Sequence, residues 1–492
     1  MKTISVLAAG LAVTGAFASD PLTPEKAVAD IKTQELQRNL WNFNKIARDN
    51  GGNRAFGLPG YEASGDYILE RVQKRFATTI DAHKQYFNHT FAQIRDISVT
   101  GPDGESVEVI ALTYNPATPA EGITAPLIDT PVDDVRGSGC FADQWEGIDA
   151  TGKLALVKRG TCAIADKLKL AAAHGAEGVI LYHNVAGTPT AATLGFENIG
   201  LLPPVGTIPL SVGQAWSAKL AAGEELVVKL YVDSVFEERE TFNIIAETKE
   251  GDPNNVIVLG AHLDSVQAGA GVNDDGSGSS AILEIIGSFK KYKGLKNKVR
   301  FIWWGAEESG LIGSLYYTRN LPEAEADKIR FYFNYDMIGS INPKFDVYVG
   351  DYAEADSYGA ALLEEYLLAQ GFPARRAPFG TGSDYVGFIQ IGVPSSGLHT
   401  GTSAGGYDPC YHLQCDDLDN ISWEALTANT KAAARAAAVL ANSDLEDLPR
   451  RRKTTPAKRD AKSIRGEFQR WAALAEEVEH THSCSHAKQE VV

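Results

Sequence analysis

From Thr241 onward, apolar runs alternate with helical patterns, and this alternation is the strongest constraint on the fold. Strands are expected at 255–260, 299–304, 331–335, 345–349 and 389–393, and helices at 277–292, 356–370 and 423–441. Near-continuous apolar strands separated by helices predict a mixed, mostly parallel α/β sheet with helices on both faces. Such a sheet places its sites beyond the carboxyl ends of its strands. Upstream, 35–75 reads as two helices around a Gly/Pro-rich turn, and 81–114 as strand with a hairpin signal at Asp103-Gly104. Pro116 to Pro131 reads as a connector, and 153–182 as a small strand–helix–strand unit whose domain closes near Val232.

Four of the expected strand ends carry metal-type ligands. Asn255 to Gly260 runs into His262 and Asp264, two residues apart and so on one face, and a Gly-rich loop then delivers Asp274. Val299 to Trp304 runs into Glu307-Glu308, Phe331 to Tyr335 into Asp336, and a fourth segment places His412 between Cys410 and Cys415. Each feature has an ordinary explanation taken singly. A carboxylate at a strand end caps the next helix, acids favour a helix start, and a lone histidine is more often packed or solvated. Two imidazoles and several carboxylates at one sheet edge together match a borderline metal such as zinc.

The wider sequence limits the setting. Net charge is −17 over 492 residues, which argues against nucleic acid or an anionic membrane as the main partner. Residues 1–18 read as a secretory signal: Lys2, an apolar stretch from Ile4 to Val13, then Ala16-Phe17-Ala18. No later segment reaches 18 apolar residues, so no membrane anchor is expected. Export favours disulfides Cys140–Cys162 and Cys410–Cys415 over free thiols and leaves Cys484 odd. Asn88 and Asn420 open glycosylation sequons, each a common chance match. After the basic run 450–453, Ile464, Phe468, Trp471, Leu474 and Val478 fall at helical spacing. His480, His482, Cys484 and His486 crowd the terminus without support for a metal site.

The motifs Ala261-His262-Leu263-Asp264, Asn273 to Gly278, Glu307 to Gly310, Tyr335-Asp336-Met337 and Cys410-Tyr411-His412 occur in order. Through them the chain resembles the M28 family of co-catalytic zinc aminopeptidases, over nearly its whole mature length. The resemblance implies a zinc-exopeptidase fold interrupted by a protease-associated (PA) domain. The layout implied is 1–18 signal peptide, 19–117 and 233–445 peptidase, 118–232 PA domain, and 446–492 basic linker and tail. It implies two zinc ions, with Asp274 bridging, His262 and Asp336 on one ion, and Glu308 and His412 on the other. Asp264 is expected to accept the second N–H of His262. Glu307 is left free as general base, and the Tyr411 hydroxyl assists the oxyanion. Substrates would be peptide or protein N-termini, and the enzyme a monomer, secreted or vacuolar. Where relatives often carry Arg-Ser-Asp, this chain has Gly382-Ser383-Asp384, which removes a potential substrate contact.

Other readings compete. Gly401-Thr402-Ser403-Ala404-Gly405 matches a serine-hydrolase elbow, but no helical pattern follows until Trp423. Gly276 to Ala281 faintly matches a dinucleotide loop, yet Asp274 and Asp275 would repel a pyrophosphate. No HExxH occurs. Carboxypeptidases, glutaminyl cyclases and non-catalytic ectodomains share the fold, and the retained ligands with Glu307 argue against the last.

Overall fold

The computed structural model describes residues 20–453, apart from 188, 190, 191, 196 and 197. The expected signal segment, the tail pattern and its histidines lie outside the described residues. The described residues divide into two compact units, one of residues 20–87 with 241–453 and one of 88–240.

The boundaries fall inside two long strands, β1 (Ile80–Thr100) and a later one, Val227–Thr248. In the 88–240 unit, the Asp103-Gly104 turn joins β1 to the short antiparallel β2 (Ser106–Val107), as the hairpin signal predicts. The expected connector instead contains strand β3 (Ile123–Asp129). Strands β3, β4 (Leu154–Lys158), β5 (Gly178–Tyr182) and β6 (Val205–Ile208) pair in parallel, in that order. Strand β7 (Val227–Thr248) closes this unit antiparallel to β3.

In the other unit, β8 (Asp252–His262) lies parallel to both β9 (Asn297–Trp304) and β10 (Ile329–Tyr335). Strand β11 (Phe345–Val349) is parallel to β12 (Ala374–Pro378) and antiparallel to β13 (Ser395–His399), which in turn is parallel to β10. Both faces are buried, which is why the strands read as continuous apolar runs. Ile257, Leu259 and Ala261 of β8 join one core with helices Gly276–Phe289 and Trp423–Asn442. Val256 and Val258 join a second with Tyr317 and Phe388. Fully burying each such side chain contributes about 1.5–3 kcal/mol.

The strand expected at 389–393 is displaced. Tyr385–Gln390 is helix, Gly392 turns at φ 77°, and the strand is β13, with the sequence Ser-Ser-Gly-Leu-His. A Cβ on Gly397 would lie 2.2 Å from the Asn334 carbonyl oxygen, so close backbone approach demands residues that resemble a turn. Among the described residues no helix is long and apolar enough to cross a membrane.

Candidate metal centre

Because β8, β9, β10 and β13 run parallel, their carboxyl ends share one edge. His262 pairs with Trp304, and Tyr335 with Leu398. The loops leaving this edge converge. Asp275, at the N-cap of helix Gly276–Phe289, accepts the backbone N–H groups of His262, Gly278 and Met337, tying three loops together. Asp274 is held from behind: Asp416 accepts the N–H groups of Asn273 and Asp274.

The structure brings together all eight of the expected catalytic and ligand residues, with Asp264 making a different contact from the one expected. His262 Nε2 lies 3.1 Å from Asp274 Oδ1, 3.6 Å from Asp336 Oδ1 and 3.9 Å from Glu307 Oε2. His412 Nε2 lies 3.2 Å from Asp274 Oδ2 and 3.1 Å from Glu308 Oε2. Asp274 therefore turns one oxygen to each histidine. Three groups have ligand atoms close enough for one cation: His262–Asp274–Asp336, Asp274–Glu308–His412 and His262–Glu307–Glu308. The first two share Asp274 and leave Glu307 outside, so they form an adjacent pair. Tyr411 stacks on His412 at 3.8 Å between ring centroids.

Asp264 departs from expectation. The imidazole Nδ1 of His262 is 3.1 Å from the Asp264 carbonyl oxygen, whereas the carboxylate Oδ1 is 3.8 Å away. The carboxylate instead accepts the backbone N–H groups of Glu307 and Glu308, at 3.1 and 3.2 Å, where Ala306 turns at φ 55°. With both oxygens committed to that turn, the backbone carbonyl orients the ring and the side chain holds the glutamate pair.

Electrostatics show what the cluster lacks. Asp264, Asp274, Asp275, Glu307, Asp336, Asp384 and Asp416 are all buried, and Glu308 is half-buried. Burial pushes the Asp264 carboxyl up to about 6, Asp416 to about 7 and Asp384 to about 8. Burial likewise raises Asp275 and Glu307 well above the usual carboxylate range. For Asp274 burial acts the same way, but hydrogen bonds to His262 and His412 prevail and lower it. Burial opposes charge on His262, yet Glu307, Asp274 and Asp336 raise it well above normal. His412, against a similar opposition, is lifted to about 11 by Glu308 and Asp274. Asp336 Oδ1 and Glu308 Oε1 are buried without a hydrogen-bond partner. Crowded acids and orphaned oxygens are the donor set a divalent cation satisfies.

Sequence reasoning missed Arg54. Fully buried, it donates to the carbonyls of Leu263, Ala270 and Gly271, so it clamps the loop that delivers Asp274. No motif marks it, and over 200 residues separate it from that loop. Disulfides Cys140–Cys162 and Cys410–Cys415 are both formed, the second ringing His412. Asn88 is exposed and bonds Glu238. Asn420, by contrast, is buried, and its amide donates to Asp408 and Asp416. Ser403 lies exposed in a loop with a three-residue 3-10 turn, Ala404–Gly406, which no helix directly follows.

A family model described as peptidase family M28 matches residues 243–437, and one described as PA domain matches 123–216. The chain is 38% identical over 431 residues to a probable leucine aminopeptidase 2 of Aspergillus fumigatus, covering 83% of each chain. It is 34% identical over 457 residues to aminopeptidase Y of Saccharomyces cerevisiae, covering 88% of this chain and 83% of that one. Among solved structures, an aminopeptidase from Aneurinibacillus sp. strain AM-1 superposes with a TM-score of 0.71 at 27% identity, covering 87% of this chain and 98% of that one. A zinc aminopeptidase from Bacillus subtilis gives 0.66 at 25% identity, covering 87% and 98%.

Proposed function

The chain belongs to peptidase family M28 and is a zinc aminopeptidase; from that premise we propose a two-zinc mechanism with Glu307 as its general base. One ion would be held by His262 and Asp336, the other by Glu308 and His412, with Asp274 giving an oxygen to each. The observation that carries this reading is that the two Asp274 oxygens lie 3.1 and 3.2 Å from different histidines. Zinc bound by these residues would supply Lewis-acid chemistry, lowering the pKa of a water from 15.7 toward about 7 and polarising the scissile carbonyl.

Glu307, needed in neither ligand set, takes the proton of the attacking water and returns it to the leaving amine. General acid–base help of this kind contributes about 10²–10⁴-fold. Asp264 holds the Glu307 backbone, so the base is placed before substrate arrives. Burial, then Asp274 and Glu308, keep the Tyr411 hydroxyl protonated, ready to donate to the oxyanion. The excess of carboxylates attracts a free α-amine, which makes the enzyme an exopeptidase acting on peptide N-termini. We place it in an oxidising compartment, secreted or vacuolar; the two disulfides and the signal-like first 18 residues support that setting. The layout we propose inserts the PA domain, 118–232, between peptidase segments 19–117 and 233–445.

The test compares an aminoacyl anilide, leucyl for instance, with its N-acetylated form. At least 100-fold preference for the free amine is expected, with two zinc ions per chain by metal analysis and no activity after exhaustive chelation. Equal rates on the two substrates would refute the exopeptidase, and full activity without metal would refute the mechanism.

A further inference from the structure

We infer that Tyr332, Asn334 and Ser383 form a directed hydrogen-bond relay that positions Asp336 as a one-oxygen zinc ligand. The inference rests on the zinc assignment of Asp336 proposed above. Tyr332 and Asn334 alternate along β10 and so share one face of the sheet, and Asp336 is the residue that follows the strand's end. Trp304 Nε1 lies 3.1 Å from the Tyr332 hydroxyl, which is 2.7 Å from Asn334 Oδ1. Asn334 Nδ2 lies 2.8 Å from Ser383 Oγ, and Ser383 Oγ is 2.6 Å from Asp336 Oδ2. All five residues are buried.

Only one direction satisfies every member. An indole N–H donates and cannot accept, so the Tyr332 oxygen accepts from Trp304 and its own proton goes to Asn334 Oδ1. The amide nitrogen of Asn334 then donates to Ser383, whose single proton is left for Asp336 Oδ2. Each bond polarises the next toward the carboxylate. Asp336 Oδ2 is thereby occupied, and Oδ1 is the oxygen that stays buried without a partner, 3.6 Å from His262 Nε2. The far end of the relay is built in as well. Gly260 of β8 lies beneath the Trp304–Tyr332 contact, and a Cβ there would fall 2.4 Å from the Tyr332 hydroxyl and 2.5 Å from Trp304 Nε1. Ser383 also sits at the start of helix Tyr385–Gln390, beside the open space at Gly382, so the relay links that loop to the site.

Ser383, Asn334 and Tyr332 are positioning residues, since none contributes a metal ligand. Zinc titration of the metal-free full chain by calorimetry, with metal analysis after dialysis, reads their effect directly. Ser383→Ala is expected to weaken one zinc ion by about 10–100-fold and to leave the other within twofold, while Ser383→Thr retains both. Asn334→Asp places a second acceptor against the single serine proton and is expected to lose at least as much. Tyr332→Phe, one bond further out, should lose only a few-fold. A merely structural role would lower the melting temperature of the metal-free protein without selecting one ion, and would not be rescued by threonine. Wild-type affinity for both ions in Ser383→Ala and Asn334→Asp would overturn the relay. Should Ser383→Ala fail to fold, Asn334→Asp and Tyr332→Phe decide. A wild-type chain that takes up no zinc would instead bring down the zinc assignment and the relay with it.

Discussion

The two units of this chain use the same construction and end in different chemistry. Each contains adjacent parallel strands whose carboxyl ends open onto loops. In the 88–240 unit those ends carry Asp129, which accepts from Ser217 at 2.5 Å, and Lys158, which is 2.5 Å from Asp134. Each of these end groups meets a single neighbouring side chain, and among the described residues no group of three metal-type ligands forms in that unit. In the other unit seven buried carboxylates, with the half-buried Glu308, gather around one buried arginine and two histidines, and Glu308 Oε1, Asp336 Oδ1 and Asp384 Oδ1 are left unpartnered. A parallel edge is thus a place where a site can be built, and unmatched buried charge is what marks the site as built.

The largest effect should come from breaking chemistry at that edge while leaving its charge pattern in place. Glu307→Gln should retain both zinc ions and the fold and lose about 10²–10⁴-fold in turnover, measured by steady-state kinetics beside metal analysis. Near wild-type rates would show that the glutamate outside the two ligand sets is not the base. Next in size is the fully buried arginine beside these acids. Arg54→Met leaves the carbonyls of Leu263, Ala270 and Gly271 unsatisfied and removes the guanidinium beside Asp264 and Asp416. It should destabilise the peptidase unit by about 3–5 kcal/mol, seen as faster hydrogen exchange in 241–453, while the core of 88–240 keeps its protection. Uniform loss across both units would erase the distinction drawn between them.

What could be read from the sequence follows the same division. His262, Asp274, Glu308, Asp336 and His412 stand at the ends of apolar runs or inside a short Cys–Cys loop, so periodicity and chemistry together expose them. The sheet was legible for the same reason, because strands buried on both faces leave uninterrupted apolar segments. Strand β13 was misplaced because its neighbours approach too closely for large side chains, and Ser-Ser-Gly resembles a turn. The helix Ile312–Asn320 was not seen: it has no side-chain cap, its N-cap Leu311 has φ 60°, and both sides of it meet protein. Arg54 and the carboxylate role of Asp264 were invisible for another reason. Each acts on backbone groups, and a contact to a carbonyl or an N–H leaves no trace in the partner's residue type.

Buried acid alone does not make a site, and Glu284 provides the control within the same unit. It lies on helix Gly276–Phe289, and burial, reinforced by Glu35, raises its carboxyl to about 7. A carboxyl whose folded pKa is raised holds its proton more tightly in the native state, so its contribution to stability is greatest below about 4.5 and is lost as pH rises through about 7. Glu284→Gln removes that loss. The variant should be more stable than wild type at pH 8, by on the order of 1–3 kcal/mol, with the gap closing toward pH 5 in denaturant melts. Turnover and zinc content should not change, because Glu284 belongs to neither ligand set. If Glu284→Gln lowered zinc affinity, the unmatched charge would extend beyond the strand ends, and the contrast between the two units would have to be drawn at the helix layer instead of the sheet edge.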